Sequence, residues 1–138
     1  MSEVHKKIYW DSCAFIHFFQ AKNDFSDALD HIDQKAQAGG TKIVTCSVAI
    51  AEVCKLPELG LLPLEQSKKI LRFMENDYVE MWQADRLICE EAHHIIRLHG
   101  VKPMDAIHLS AAINSRSSLF LTTDRKSTRL NSSHGIIW

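Results

Sequence analysis

A parallel α/β fold in a single domain is the architecture this sequence predicts, and three observations predict it. Four short apolar, β-prone runs recur along the chain. Segments whose apolar residues repeat at helical spacing separate them, an alternation that implies a parallel sheet flanked by helices. The length, 138 residues, suits one domain with one respectable core.

Ile8-Tyr9-Trp10 reads as a buried strand, and Asp11-Ser12 ends it and offers the N-cap of a first helix holding Ala14, Phe15 and Ile16. A second helix is expected from about Ser26 to Ala38, with Ala28, Leu29, Ile32 and Ala36 inward and Gly39-Gly40 as its stop. Lys42 to Cys46 is β-branched and reads as the second strand. Ser47 is placed to cap a third helix carrying Val48, Ala51, Glu52 and Val53, halted near Pro57. Pro63 suits the first turn of a fourth helix with Ile70, Leu71, Phe73 and Met74. Tyr78 to Trp82 alternates and predicts a third strand. Asp85 opens a fifth helix with Ile88, Ala92, Ile95 and Ile96 inward, ending at Gly100. Pro103 opens a sixth with Ile107, Leu109, Ala111, Ala112 and Ile113, and Leu119 to Thr122 is the fourth strand.

Composition narrows function only by exclusion. A hydrophobic fraction of 46%, a charged fraction of 24% and a net charge of −1 are ordinary for a globular domain and announce no global basic field for nucleic acid. No apolar run approaches the roughly 20 residues that span a bilayer, and the polar N-terminus lacks a signal-peptide stretch, so a cytoplasmic protein without a membrane partner is expected. The four cysteines form no C-x-x-C pair and read as small buried hydrophobes in a reducing compartment. No G-x-S-x-G, Walker or G-x-G-x-x-G element is present, and Asp11-Ser12-Cys13 lacks the second acid of a D-x-D phosphatase nucleophile.

The feature that asks for a chemical explanation is a set of four carboxylates at element ends. They are Asp11 after the first strand, Glu52 in the third helix, Asp105 at the start of the sixth and Asp124 after the fourth strand. Singly, each has an ordinary reading: a cap, a solvent-facing helix residue, a first-turn acid, a turn residue. Together they are acids in apolar runs, and no lysine or arginine lies inside the runs around Asp11, Glu52 or Asp105. Burial of an unpaired carboxylate is costly, and a shared divalent cation would compensate the whole set. In parallel sheets, ligands bind outside the carboxyl ends of the strands, the rim on which these acids converge.

Four stretches carry a resemblance: Tyr9-Trp10-Asp11-Ser12; Thr45-Cys46-Ser47 with Ala51-Glu52-Val53; Lys102 to Ala112 around Pro103-Met104-Asp105-Ala106; and Phe120-Leu121-Thr122-Thr123-Asp124. In this order the chain resembles the PIN-domain ribonucleases, and most of all the toxins of VapBC-type toxin–antitoxin pairs. The resemblance implies a metal-dependent endoribonuclease, the toxin of a type II pair. Asp11, Glu52, Asp105 and Asp124 would be its catalytic and metal-binding acids, with Ser12 supporting the site. It implies one or two Mg²⁺ or Mn²⁺ ions, an RNA substrate, a cognate antitoxin whose tail lies across the acidic groove, and a homodimer formed through helices. Carboxylates are the hard oxygen donors these ions prefer. Two other readings belong beside it: a catalytically inactive PIN-like binding module, and a housekeeping ribonuclease of the same fold.

Residues 1–124 are expected to form this domain, and residues 125–138 to stand apart from it. The segment Arg125 to Trp138 is polar, aperiodic and similar to translated adapter sequence, where a toxin of this family would continue into a helix and a closing edge strand. Arg116, Arg125, Lys126 and Arg129, with Lys102 and Arg86, are candidate phosphate contacts, and Trp82 or Phe25 a candidate base-stacking residue. Each of these reads equally well as solvated surface. Among the eight histidines His93 and His94 are adjacent, not at zinc-helix spacing, and His108 is expected to be a partly buried helix residue one turn after Asp105.

Overall fold

Alternation along the strands decides which layer each side chain enters. The computed structural model describes residues 6–20, 23–56 and 60–122. Among these, the chain runs β1 (Lys6–Trp10), α1 (Ser12–Phe18), α2 (Asp24–Gln37), β2 (Thr41–Cys46), α3 (Val48–Glu52), β3 (Lys55–Leu56), β4 (Gly60–Leu61) and α4 (Leu64–Phe73). It continues through β5 (Val79–Trp82), α5 (Arg86–His99), α6 (Pro103–Asn114) and β6 (Leu119–Leu121). The predicted four-stranded parallel α/β sheet is present, in the order β5-β2-β1-β6, with every pairing parallel.

In the β1 register Ile8 lies beside Ile43 and Leu119, and Tyr9 beside Val44 and Phe120. Residues of one parity therefore line up across the sheet and create two cores. On one face Ile8, Trp10 and Ile43 pack with Phe15 of α1, Leu29 of α2, Ala49 of α3 and Ile70 of α4. On the other, Tyr9, Val44, Cys46 and Phe120 pack with Ala92 of α5 and Ala106, Leu109 and Ala112 of α6. Both faces being covered explains why the strands are continuous apolar runs.

From β1 the chain steps outward to β2 and β5, then returns to place β6 on the opposite side of β1. The strand order thus reverses beside β1, and the carboxyl end of β1 is the expected ligand crevice. The residues just past the strand ends on this rim are polar: Asp11 after β1, Ser47 after β2 and Thr122 after β6.

Several local expectations are refined. Asp11, not Ser12, caps α1, its Oδ1 accepting the Ala14 N–H at 3.0 Å. The α2 helix begins at Asp24 because Asn23 and Ser26 form a reciprocal capping box, so Ser26 lies inside the first turn. Ser47 does not cap α3 with its side chain; its Oγ instead accepts the Ala84 N–H at 3.0 Å and fastens the end of β2 to the segment after β5. Pro63 sits at the N-cap of α4, and Pro103 occupies the first turn of α6. Ala28 and Ile113, expected inward, are exposed, each on the solvent side of its helix. The β3–β4 hairpin was not expected from the sequence, since two-residue strands carry no periodicity. The 125–138 segment and its proposed replacement of a closing strand lie outside the described residues.

Candidate active site

The site grows from the end of β1. The Asp11 N–H donates to the Leu121 carbonyl at 3.3 Å, extending the β1–β6 ladder one residue beyond the strand. This fixes the backbone so that the carboxylate turns inward, where only 6% of the residue is exposed. Burial drives the Asp11 pKa from 3.8 up to about 6; a positive charge on His108, a hydrogen bond with the Thr122 side chain and the Ala14 N–H oppose that rise, and the Glu52 charge adds to it. Asp11 and Glu52 are therefore near enough to repel each other.

Glu52 is the last residue of α3, and its side chain is 25% exposed. Its Oε1 lies 2.6 Å from His108 Nε2. The other ring nitrogen, Nδ1, lies 2.6 Å from the Tyr9 hydroxyl. Burial holds the Tyr9 phenol well above its usual pKa, reinforced by Cys46, Asp11 and Glu52 against a hydrogen bond with Thr45, so Tyr9 keeps its proton. Glu52, a carboxylate, can only accept, so Nε2 carries a proton and donates it to Glu52. A continuous hydrogen-bonded path thus joins the central strand, α6 and α3.

Of the five residues the sequence nominated, Asp11 and Glu52 are brought together around His108. Asp105 is half-buried in the first turn of α6, three residues before His108 and so on the same helix face. Ser12 is half-buried at the start of α1. Asp124 lies outside the described residues. Sequence reasoning undervalued His108, which is buried and bonded through both ring nitrogens, and passed over Tyr9 and Thr122. The available signal was the three-residue step from Asp105 to His108; nothing local marks Tyr9 as more than core.

Among the described residues, no group of three or more His, Cys, Asp or Glu side chains is drawn together as a ready-made cage for an ion. The donor chemistry nevertheless suits Mg²⁺ or Mn²⁺. A desolvated Asp11 carboxylate faces a second carboxylate, both are hard oxygen donors, and Mg²⁺ typically uses one or two carboxylates and keeps its remaining waters.

The candidate surface groups divide. Arg86 donates to Glu90 at 2.8 Å, and the Trp82 indole donates to Glu80 at 2.7 Å, while Arg116 and Lys102 are exposed. Arg125, Lys126 and Arg129 lie outside the described residues. Cys46 is buried as expected, but Cys54 and Cys89 are exposed because each sits on the outer side of a turn or helix. No helix among the described residues is long and apolar enough to cross a membrane.

An acid-bearing carboxyl rim on this sheet order defines a PIN-type architecture, and the family comparison agrees. The sequence matches the PIN domain over residues 8–131, and the chain belongs to that family, whose members are typically nucleases. A toxin–antitoxin complex from Klebsiella pneumoniae shares the fold at TM-score 0.62 and 18% identity, over 88% of this chain and 89% of that one. The Mycobacterium tuberculosis toxin VapC20, which cleaves the sarcin–ricin loop, is similar at TM-score 0.61 and 10% identity, over 80% and 84%. At such identities the likeness is one of fold. No curated protein matches the sequence.

Proposed function

We propose that this chain is a metal-dependent endoribonuclease and the toxin of a type II toxin–antitoxin pair. The observation that carries the proposal is Asp11: a carboxylate almost wholly buried at the end of the central strand, repelled by Glu52. Capping α1 needs a side-chain oxygen and no charge, and a cation would compensate the buried carboxylate. The family membership and the toxins among its fold neighbours support the same reading.

Asp11 and Glu52 would hold the ion, with Asp105 and Asp124 completing the acidic set and Ser12 supporting it. A bound Mg²⁺ or Mn²⁺ supplies Lewis-acid polarisation of a phosphodiester and an acidified water. The chain's own part is positional. Thr122 and the Ala14 N–H fix Asp11, and buried neighbours keep its carboxylate poorly hydrated and so strongly attractive to a cation. A cognate antitoxin would be the partner, and a homodimer the working assembly.

The test is cleavage of RNA by the purified chain in Mn²⁺ or Mg²⁺, with and without chelator, beside Asp11→Asn. Cleavage that disappears with chelation and in the variant supports the proposal. Cleavage that survives either treatment overturns it, and a folded chain that captures an antitoxin yet never cleaves identifies a binding module instead.

A further inference from the structure

We propose that Tyr9 and His108 form a strut that positions Glu52 for metal binding. The inference rests on reading Glu52 as a ligand. The His108 side chain is 3% exposed, and both of its ring nitrogens are bonded, to Tyr9 at 2.6 Å and to Glu52 at 2.6 Å. A histidine held only for packing needs neither bond to be directed at a half-exposed acid. Here one bond anchors the ring to the central β1 strand of the sheet, and the other restrains a side chain that hangs from the last residue of a five-residue helix.

The anchoring end is itself tightly held. Tyr9 is fully buried, stacked on Phe120 with ring centroids 5.1 Å apart and set edge-on to His108 at 5.6 Å. From that base the imidazole commits Oε1 of Glu52, and the bond leaves the second oxygen to other chemistry. In metal sites a fixed hydrogen-bond partner of this kind orients the ligand, and its loss typically weakens metal affinity about 10–100-fold. His108 and Tyr9 are positioning residues, since neither need touch RNA or metal. His108 also joins α6, which carries Asp105, to α3, which carries Glu52, so one side chain sets the spacing of two acids.

The experiment measures Mn²⁺ binding by calorimetry in the full chain and in His108→Leu, His108→Gln and Tyr9→Phe, with melting in chelator as the check on folding. Gln keeps an N–H donor near the place of Nε2, whereas Leu fills the space without one. The expected result is a Kd weakened about 10–100-fold in His108→Leu, largely restored in His108→Gln, and weakened to a lesser degree in Tyr9→Phe. RNA cleavage should follow the same order. Equal Mn²⁺ affinity in wild type and His108→Leu overturns the strut while leaving the nuclease reading intact. Nitrogen-15 NMR of the metal-free wild type keeps the question answerable if the Leu variant does not fold: an Nε2-protonated, exchange-protected His108 supports the strut, and the Nδ1 tautomer overturns it. A wild type that shows this bond yet binds no Mn²⁺ overturns the nuclease reading, and the strut's role with it.

Discussion

Asp11 accepts the Ala14 N–H at 3.0 Å while burial raises its pKa against the attraction of His108, so one carboxylate both caps α1 and bears a net cost of desolvation. These two roles separate in Asp11→Asn. Asparagine caps a helix about as well as aspartate, but it carries no charge to desolvate. The variant is therefore expected to be more stable than wild type at pH 8 in chelator, by at most ~3 kcal/mol at about 1.4 kcal/mol per pH unit of displacement. It should also lose the stabilisation that Mn²⁺ gives the wild type. Urea melts of both proteins, with and without the ion, check this, and a destabilised variant in chelator would refute it.

The same carboxyl sets a pH dependence for the metal-free protein. Its pKa is raised from 3.8 to about 6 on folding. Below pH 3.8 both states hold the proton and the group contributes no slope. Between 3.8 and about 6 the folded state retains a proton that the unfolded chain has released, so stability falls as pH rises, and above 6 the loss is complete. Wild type should lose stability across that window relative to Asp11→Asn, and Mn²⁺ at about 100 times its Kd should return ~2.7 kcal/mol above pH 7. Parallel pH profiles for the two chains would refute the assignment.

The legibility of this fold depends on how local each signal is. Strand alternation and helix periodicity are local, so the four sheet strands emerged from the sequence within a residue or two, as did the α5 and α6 boundaries at Asp85 and Pro103. The Asn23 capping box and the β3–β4 hairpin were missed because a side chain reaching back three residues, or a strand of two, barely disturbs periodicity. Asp11 and Glu52 stood out as acids in apolar surroundings. His108 did not, because its meaning lies in partners 56 and 99 residues away, Glu52 and Tyr9. Long-range pairing of that kind has no signature in one sequence.

Gly100 closes α5 in the left-handed region at φ 69°, and a Cβ there would meet nothing within 4 Å. The only penalty for a side chain is backbone strain, about 1–2 kcal/mol for an ordinary residue. Gly100→Ala should cost about that much and Gly100→Asn less, because asparagine tolerates this conformation. A thermal melt ranking Asn below Ala would contradict the account.

Trp10 is fully buried at the centre of the larger core, against Phe15 at 5.1 Å, Phe18 at 5.4 Å and Phe73 at 6.0 Å between ring centroids. Its indole N–H has no hydrogen-bond partner among the described residues. Two substitutions therefore part company. Trp10→Ala opens a cavity in the larger core next to the strand end that carries Asp11 and should cost about 3–5 kcal/mol. Trp10→Phe loses volume too, but it also removes a buried donor whose desolvation costs roughly 1–3 kcal/mol when unpaired. The phenylalanine variant should thus be destabilised by clearly less than its lost volume implies, about 1–2 kcal/mol once the relief is set against the smaller cavity. Denaturant midpoints with unchanged m-values decide the matter: a Phe variant as unstable as the Ala variant would show that the indole N–H is satisfied in solution.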